Sequence, residues 1–146
     1  MERIIGIDYG RKRVGLAVSD PLGIFATPLD CTSGAKIIDY LKTYTSKEAV
    51  KLFVVGYPKN LDGTDSENLK FVEAFLKNLR KTFPDIQVVL EDERFTTTLA
   101  HRAMIDGGMK KSERRIKGNA DKISAVLILQ SYLDRQANIS HRDENK

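Results

Sequence analysis

Short apolar runs separated by turn-forming residues dominate the first third of the chain. Residues 3–9 and 13–18 are two such runs, joined across a Gly-Arg-Lys sequence at 10–12, which is the pattern of a β-hairpin. A third run, residues 24–31, follows the turn-forming sequence Asp-Pro-Leu-Gly at 20–23. The chain is therefore predicted to begin with three antiparallel strands.

Beyond residue 36 the apolar period changes from two to nearly four, which indicates helices alternating with further strands. The spacing predicts strands at 51–55 and 86–90. It predicts four helices: one at 37–44, one that follows a capping box at 64–67 and ends near Pro84, one at 97–106 and one at 119–136. The predicted order is β-β-β-α-β-α-β-α-α. This order is typical of an α/β fold in which a meander is followed by right-handed crossovers.

Length and composition predict one folded domain. The chain has 146 residues, of which 41% are hydrophobic, enough for a core, and no apolar run approaches the length of a membrane span. We expect the domain to cover residues 1–137 and the polar residues 138–146 to form a flexible tail. A single cysteine and two histidines exclude an internal disulfide and a Cys/His zinc site. With no export signal visible, a cytoplasmic location is expected.

Positive charge is concentrated in one segment. The chain carries 24 Lys and Arg against 20 Asp and Glu, an excess too small to indicate a polyanionic partner by itself. Residues 110–117 alone hold five bases and one acid, an excess equal to that of the whole chain. This stretch is predicted to be an exposed loop that binds phosphate groups through Lys110, Lys111, Arg114, Arg115 and Lys117.

Three groups of acidic residues are candidates for chemistry. Asp8 follows an apolar run directly before a glycine turn, where it could equally form an Asx-turn with Gly10 supplying a positive φ. The sequence Glu-Asp-Glu at 91–93 puts three carboxylates at a strand end, where their mutual repulsion is costly unless a cation or Arg94 offsets it; a solvated strand exit is the alternative. Alternation does not decide between Asp92 and Glu93, because a central strand is buried on both faces.

Asp121 is the third acid, and helical geometry makes it distinctive. At 100° per residue it shares the apolar face of the last helix with Ala125 and Tyr132, so it points towards the sheet. The alternative is an acid that merely favours the dipole of the first helical turn. If the sheet forms as predicted, Asp8, Glu93 and Asp121 meet at one edge.

Carboxylates without nearby His or Cys favour a hard cation, so Mg²⁺ or Mn²⁺ is the expected cofactor. Two such ions about 4 Å apart are typical of phosphodiester hydrolysis. Basic residues are interleaved with the acids and would hold substrate phosphates; they are Arg11, Lys12, Arg13 and Arg94. For each of these, an ordinary solvated turn is an equal alternative. The loop at 56–63, with Lys59, is either a tight connection or a further substrate contact.

Four segments, in order and spacing, closely resemble the signature blocks of the YqgF (RuvX) family. They are Gly6–Asp20, Val55–Gly63, Asp92–Thr97 and Asp121–Leu129. The resemblance covers residues 3–135 and implies a ribonuclease H-like fold, a mixed five-stranded sheet flanked by helices. It also implies a bacterial cytoplasmic nuclease whose metal-binding acids fall on Asp8, in the Asp92-Glu93-Arg94 block, where we choose Glu93, and on Asp121.

Members of that family are described in two ways, as nucleases that mature the 5′ end of the small-subunit ribosomal RNA precursor and, by analogy with junction nucleases of the same fold, as Holliday junction resolvases. The resemblance thus implies structured RNA or branched DNA as partner. Sequence alone leaves that choice and the oligomeric state open, although a resolvase needs paired sites and hence a dimer.

Two functions of other classes compete with a nuclease. The spacing Asp8-x-Gly10-x₄-Gly15 also resembles the first phosphate loop of actin-like and Hsp70-like ATPases, which share this fold. Those enzymes clamp nucleotide between two such domains, whereas this chain has the length of one. The other alternative is a non-catalytic nucleic-acid-binding module. Metal-dependent cleavage and ATP binding discriminate among the three.

Overall fold

The structure, a computed structural model, describes residues 2–10, 12–57, 69–92 and 119–144, with the side chains of the last segment described from 122 to 137. In these ranges the chain forms five strands and three helices. The bounds are β1 Arg3–Tyr9, β2 Val14–Ser19, β3 Ala26–Thr32, α1 Ile37–Lys47, β4 Val50–Tyr57, α2 Leu69–Thr82, β5 Gln87–Asp92 and α3 Asn119–Glu144. No helix in the described part is long and apolar enough to cross a membrane.

The strands form one mixed sheet in the order β3-β2-β1-β4-β5. β2 pairs antiparallel with both β1 and β3, whereas the pairs β1–β4 and β4–β5 are parallel. The predicted fold class, three antiparallel strands followed by parallel additions, is confirmed. The predicted helix at 97–106 and the capping box at 64–67 lie outside the described residues.

The two faces of the sheet are covered by different helices. On one face, Ile5 and Ile7 of β1 belong to a core cluster with buried residues of α1 and α2. On the other face, Ile4 belongs to a cluster with buried residues of α3. Central strands covered on both sides need continuous apolar runs, which explains why β1 and β4 lack polar alternation.

α2 matches its predicted apolar face. Its residues Leu69, Val72, Phe75, Leu76 and Leu79 recur at helical spacing and are all buried. The ring of Phe75 stacks on that of Tyr9, the last residue of β1, with the ring centroids 4.4 Å apart. Amphipathic spacing was therefore enough to identify both the helix and the side that it buries.

The end of α3 differs from the prediction. The helix continues to Glu144, past the predicted end near Gln136, so that residues 138–144 have a helical backbone. This stretch contains neither proline nor glycine. Apolar periodicity stops near residue 133 and most of residues 138–144 are weak helix formers, but extending a helix that is already formed costs far less than starting one.

Candidate active site

The carboxyl ends of β1, β4 and β5 meet at one edge of the sheet, because the three strands are parallel. Asp8 lies near the end of β1, and Asp92 is the last residue of β5. Ile7 of β1 pairs with Val55 of β4, which pairs with Leu90 of β5, so these three residues lie side by side across the sheet. Asp8 is one residue beyond this row, and Asp92 is two residues beyond it. Because β4 lies between them, their backbones are two strand spacings apart, about 10 Å. We call this the Asp8 edge.

Asp8 lies on the face of the sheet that α3 covers. Successive strand residues point to opposite faces, so Asp8 shares its face with Gly6 and Ile4. Gly6 lies directly beneath α3: a Cβ atom built on it would be 2.7 Å from Cβ of Leu129 and 3.0 Å from the carbonyl oxygen of Ala125. The absence of a side chain at Gly6 therefore lets the helix approach the strand that carries Asp8.

The first turn of α3 lies towards the Asp8 edge. Ala125 is next to Gly6, whereas Gln130 exchanges hydrogen bonds with Ile24 and Ala26 near the opposite edge of the sheet. The helix therefore runs away from the Asp8 edge. Asp121 precedes Ala125 by one turn, or about 6 Å, while Asp8 follows Gly6 by two strand residues, or about 6.6 Å.

The backbone positions of Asp8 and Asp121 are thus brought to the same end of the sheet. The side chain of Asp121 lies outside the described set.

Asp92 occupies the face opposite to Asp8. It alternates with Leu90 and Val88, and Val88 packs against the cluster formed with α1 and α2. Asp92 is partly buried and has interactions of its own there. Its position argues against Asp92 as the partner of Asp8. Glu93, the acid chosen from this block, lies outside the described residues.

Glu91 has a structural role that the sequence did not reveal. Glu91 is only 3% exposed. Its carboxylate accepts a bidentate pair of hydrogen bonds from the Arg135 guanidinium of α3, and the distance from Nη1 to Oε1 is 2.7 Å. The Ser131 hydroxyl donates a third bond to Oε1 at 3.3 Å. Arg135 therefore neutralises the charge of Glu91. The repulsion predicted among the three acids at 91–93 is reduced accordingly, because Glu91 no longer contributes to it. No local signal links two residues that are 44 positions apart.

The turn between β1 and β2 places basic side chains beside Asp8. Lys12 and Arg13 are exposed there, next to the terminal pair of Tyr9 with Val14. Gly10 closes this turn by donating its N–H to the carbonyl of Arg13 at 3.0 Å. The expected positive φ of Gly10 is wrong. Gly10 is required for space instead, since a Cβ atom would lie 2.6 Å from the Arg13 carbonyl oxygen.

Several predicted site residues lie outside the described ranges. They are Arg11, Arg94, the loop with Lys59, and Lys110, Lys111, Arg114, Arg115 and Lys117 of the basic segment. Among the residues that are described, no three His, Cys, Asp or Glu side chains form a group able to hold a metal ion. The described part of the Asp8 edge thus unites two acids on opposite faces of the sheet, Asp8 and Asp92, with two exposed bases and the start of α3.

Comparison with known proteins gives this arrangement a family. The model described as RuvX Holliday junction resolvase matches residues 2–135. A protein of Parabacteroides distasonis named "Putative pre-16S rRNA nuclease" is 51% identical over 134 residues, covering 92% of this chain and 96% of that protein. Relatives of the same name in Bacteroides fragilis and Amoebophilus asiaticus are each 46% identical, and the matches cover 92% and 91% of this chain and 97% and 94% of those proteins.

Two solved structures share the fold. Thermus thermophilus RuvC, in complex with a Holliday junction substrate, aligns with a TM-score of 0.57 at 18% identity and covers 93% of this chain and 96% of its own. The resolvase of Fowlpox virus, also in complex with junction DNA, has the same TM-score at 9% identity and covers 92% and 98%. The sheet order and the match over residues 2–135 agree, and the chain belongs to the RuvX family.

Proposed function

We propose that this protein is a divalent-metal-dependent nuclease that hydrolyses phosphodiester bonds at the 5′ end of pre-16S rRNA in the cytoplasm. The observation that carries the proposal is the convergence of Asp8 and the first turn of α3 at the edge where Lys12 and Arg13 are exposed. The names of the curated relatives, which match over nearly their whole length, support RNA as substrate.

The residues proposed to hold Mg²⁺ or Mn²⁺ are Asp8, Glu93 and Asp121. A donor set made only of carboxylates fits a hard divalent cation. The choice of Glu93 over Asp92 is supported by the strand alternation described above, because Asp92 shares the face of Leu90 and Asp8 does not. The ions, when bound, would activate the attacking water and stabilise the leaving oxygen.

The basic residues are assigned to substrate binding. Lys12 and Arg13, together with Arg11 and Arg94, would hold the phosphates next to the cleaved bond, where positive charge offsets the repulsion between carboxylates and the phosphate backbone. Positive charge in the 110–117 segment would hold flanking phosphates. Such contacts position the nucleic acid and are insensitive to base sequence.

Cleavage of four-way DNA junctions is the second candidate function. The description of the matching family model and the junction complexes of both structural neighbours favour it. A resolvase makes two symmetrical cuts and therefore acts as a dimer with paired sites. End processing of RNA needs one site.

A cleavage assay tests both functions. The purified protein is incubated with Mg²⁺ or Mn²⁺, and separately with EDTA, on a precursor rRNA fragment with its 5′ extension, a four-way DNA junction and plain duplexes. Cutting of the precursor alone supports RNA processing, and paired cuts in the junction support resolution. Cutting of nothing, in the presence of metal, refutes the nuclease, and an ATP titration of the same sample then tests the ATPase alternative.

Site variants locate the chemistry. Asp8→Asn, Glu93→Gln and Asp121→Asn should each abolish cleavage while the fold remains stable, since removing a carboxylate from an acidic site relieves repulsion. Asp92→Asn is the matched control and should retain most of the activity. An active Glu93→Gln together with an inactive Asp92→Asn would assign the role to Asp92.

A further inference from the structure

A groove between α1 and the end of β3 lies away from the proposed acids. It has a volume of about 560 Å³, within the range of small-ligand sites, and its lining includes Thr32, Lys36, Asp39, Tyr40, Tyr44 and Lys47. All of these residues are described. Tyr40 and Tyr44 also pack against the core cluster that α1 and α2 share, but the proposed cleavage chemistry makes no use of this surface.

The lining residues form a stripe along α1. Lys36, Tyr40, Tyr44 and Lys47 are separated by four, four and three positions, so they share one face of the helix. The two tyrosines are partly buried and the two lysines are exposed at either end, about 16 Å apart along the helix axis. Within the described part of the chain, neither lysine forms an ion pair.

Tyr40 packs against the core cluster and lies close to Asp30 of β3. Burial, together with the negative charge of Asp30, raises the pKa of Tyr40 to about 12. Core packing orders the ring. An aromatic ring that is already ordered loses little further conformational entropy on binding a planar partner.

The groove is connected to the Asp8 edge. Thr32, at its upper end, pairs with Val14, and Val14 pairs with Tyr9, the neighbour of Asp8. Two strand spacings, about 10 Å, separate Thr32 from β1. The turn with Lys12 lies at the same edge. The groove is on the face of the sheet that α1 covers and Asp8 is on the face that α3 covers, so a polyanion would reach the proposed site by crossing the edge at this turn.

We infer that this groove binds a single-stranded segment of the RNA substrate, with bases stacked against Tyr40 and Tyr44 and phosphates held by Lys36 and Lys47. Aromatic rings in a positively charged groove are the usual means of binding single strands, because every base has a face that stacks. The lysines at the two ends of the groove are the groups that would contact phosphates, while Asp39 and Asp30 balance their charge along its middle. The inference rests on the proposed function, since a 5′ extension would supply such a segment.

Binding of a labelled single-stranded RNA of about ten nucleotides, measured by fluorescence anisotropy in EDTA so that the probe stays intact, tests the inference. Tyr44→Leu should weaken binding about fivefold or more if a base stacks on its ring. Lys36→Gln with Lys47→Gln should lower the magnitude of the log-affinity against log-salt slope by about 1.4, from two lost phosphate contacts.

The matched control is Lys42→Gln with Lys81→Gln, which removes the same charge from exposed lysines outside the groove. Its slope and affinity should stay close to those of the parent. Tyr44→Leu should weaken the binding of a blunt-ended RNA duplex less than the binding of the single strand, because paired bases do not stack on the ring.

Equal effects of the groove and control pairs, or equal losses on duplex and single strand, would overturn the inference and leave a general electrostatic surface. The two proposals fail separately. If the groove variants weaken single-strand binding but the parent protein does not cleave RNA in Mg²⁺ or Mn²⁺, the proposed nuclease activity is refuted and the binding role of the groove is retained. If the parent cleaves RNA but the groove variants bind the single strand as the parent does, the binding role of the groove is refuted and the nuclease activity is retained.

Discussion

The pair between Glu91 and Arg135 gives the most direct test of how α3 is held on the sheet. Glu91 is 3% exposed, and two of its three hydrogen bonds come from the guanidinium of Arg135. In Arg135→Ala the carboxylate keeps its bond from Ser131 and loses its compensating charge. α3 carries Asp121 and covers the strand that carries Asp8, so this contact stabilises the framework of the proposed site.

Two limits give the expected size of the effect. Breaking a buried pair by removing one partner costs about 3–5 kcal/mol, but the Arg135 side chain is 50% exposed, so water already screens part of the attraction. Because the exposure of Arg135 lowers the cost of breaking the pair below that range, we expect Arg135→Ala to lower the free energy of unfolding by about 2–3 kcal/mol.

Urea denaturation followed by circular dichroism measures this loss. Gln136→Ala, at an exposed neighbouring position, is the control and should change little. In a Glu91→Gln background, where the partner is neutral, Arg135→Ala should cost much less. An equal loss in that background would refute the charge argument.

Three further predictions concern other parts of the chain. Gly6→Ala puts a methyl group 2.7 Å from Leu129 and should lower stability by about 1–3 kcal/mol in the same urea assay; an unchanged midpoint would mean that α3 shifts freely. For Tyr40→Phe, the difference titration at 295 nm should show a phenol ionising near pH 12, because burial and Asp30 raise the pKa of Tyr40 to about 12. The stability that this hydroxyl contributes should be present below about pH 10 and lost as the pH rises towards 12, and a difference curve centred near pH 10 would contradict the raised value. Lys110→Ala with Lys111→Ala should reduce the salt slope of nucleic-acid binding by about 1.4 on a single strand or about 1.8 on duplex DNA, and an unchanged slope would make that segment an ordinary solvated surface.

Local patterns in the sequence determined most of the architecture. The period of apolar residues was sufficient to place all five strands and the helices at 37–47 and 69–82 within a few residues of their observed bounds. Turn-forming residues indicated the meander at the start. These signals are readable because secondary structure depends on neighbours along the chain, whose apolar spacing must match the period of the element they form.

The sequence also identified the Asp8 edge. Acids that end or begin otherwise apolar elements are unusual, so Asp8 and Asp121 could be selected without contact information. Their approach follows from topology, because parallel strands end at one edge and α3 begins there. The end of α3 was missed, since a polar stretch lacks the apolar period that marks a packed helix.

Tertiary structure alone decided which distant side chains meet. The pairing of Glu91 with Arg135, the opposite faces of Asp8 and Asp92, and the stripe of Tyr40 and Tyr44 against β3 all depend on how separate segments pack. The sequence shows which residues are charged, but it does not show which residue each of them pairs with. The partner is set by strand register and helix position, and these depend on the burial of the whole core and not on any single segment.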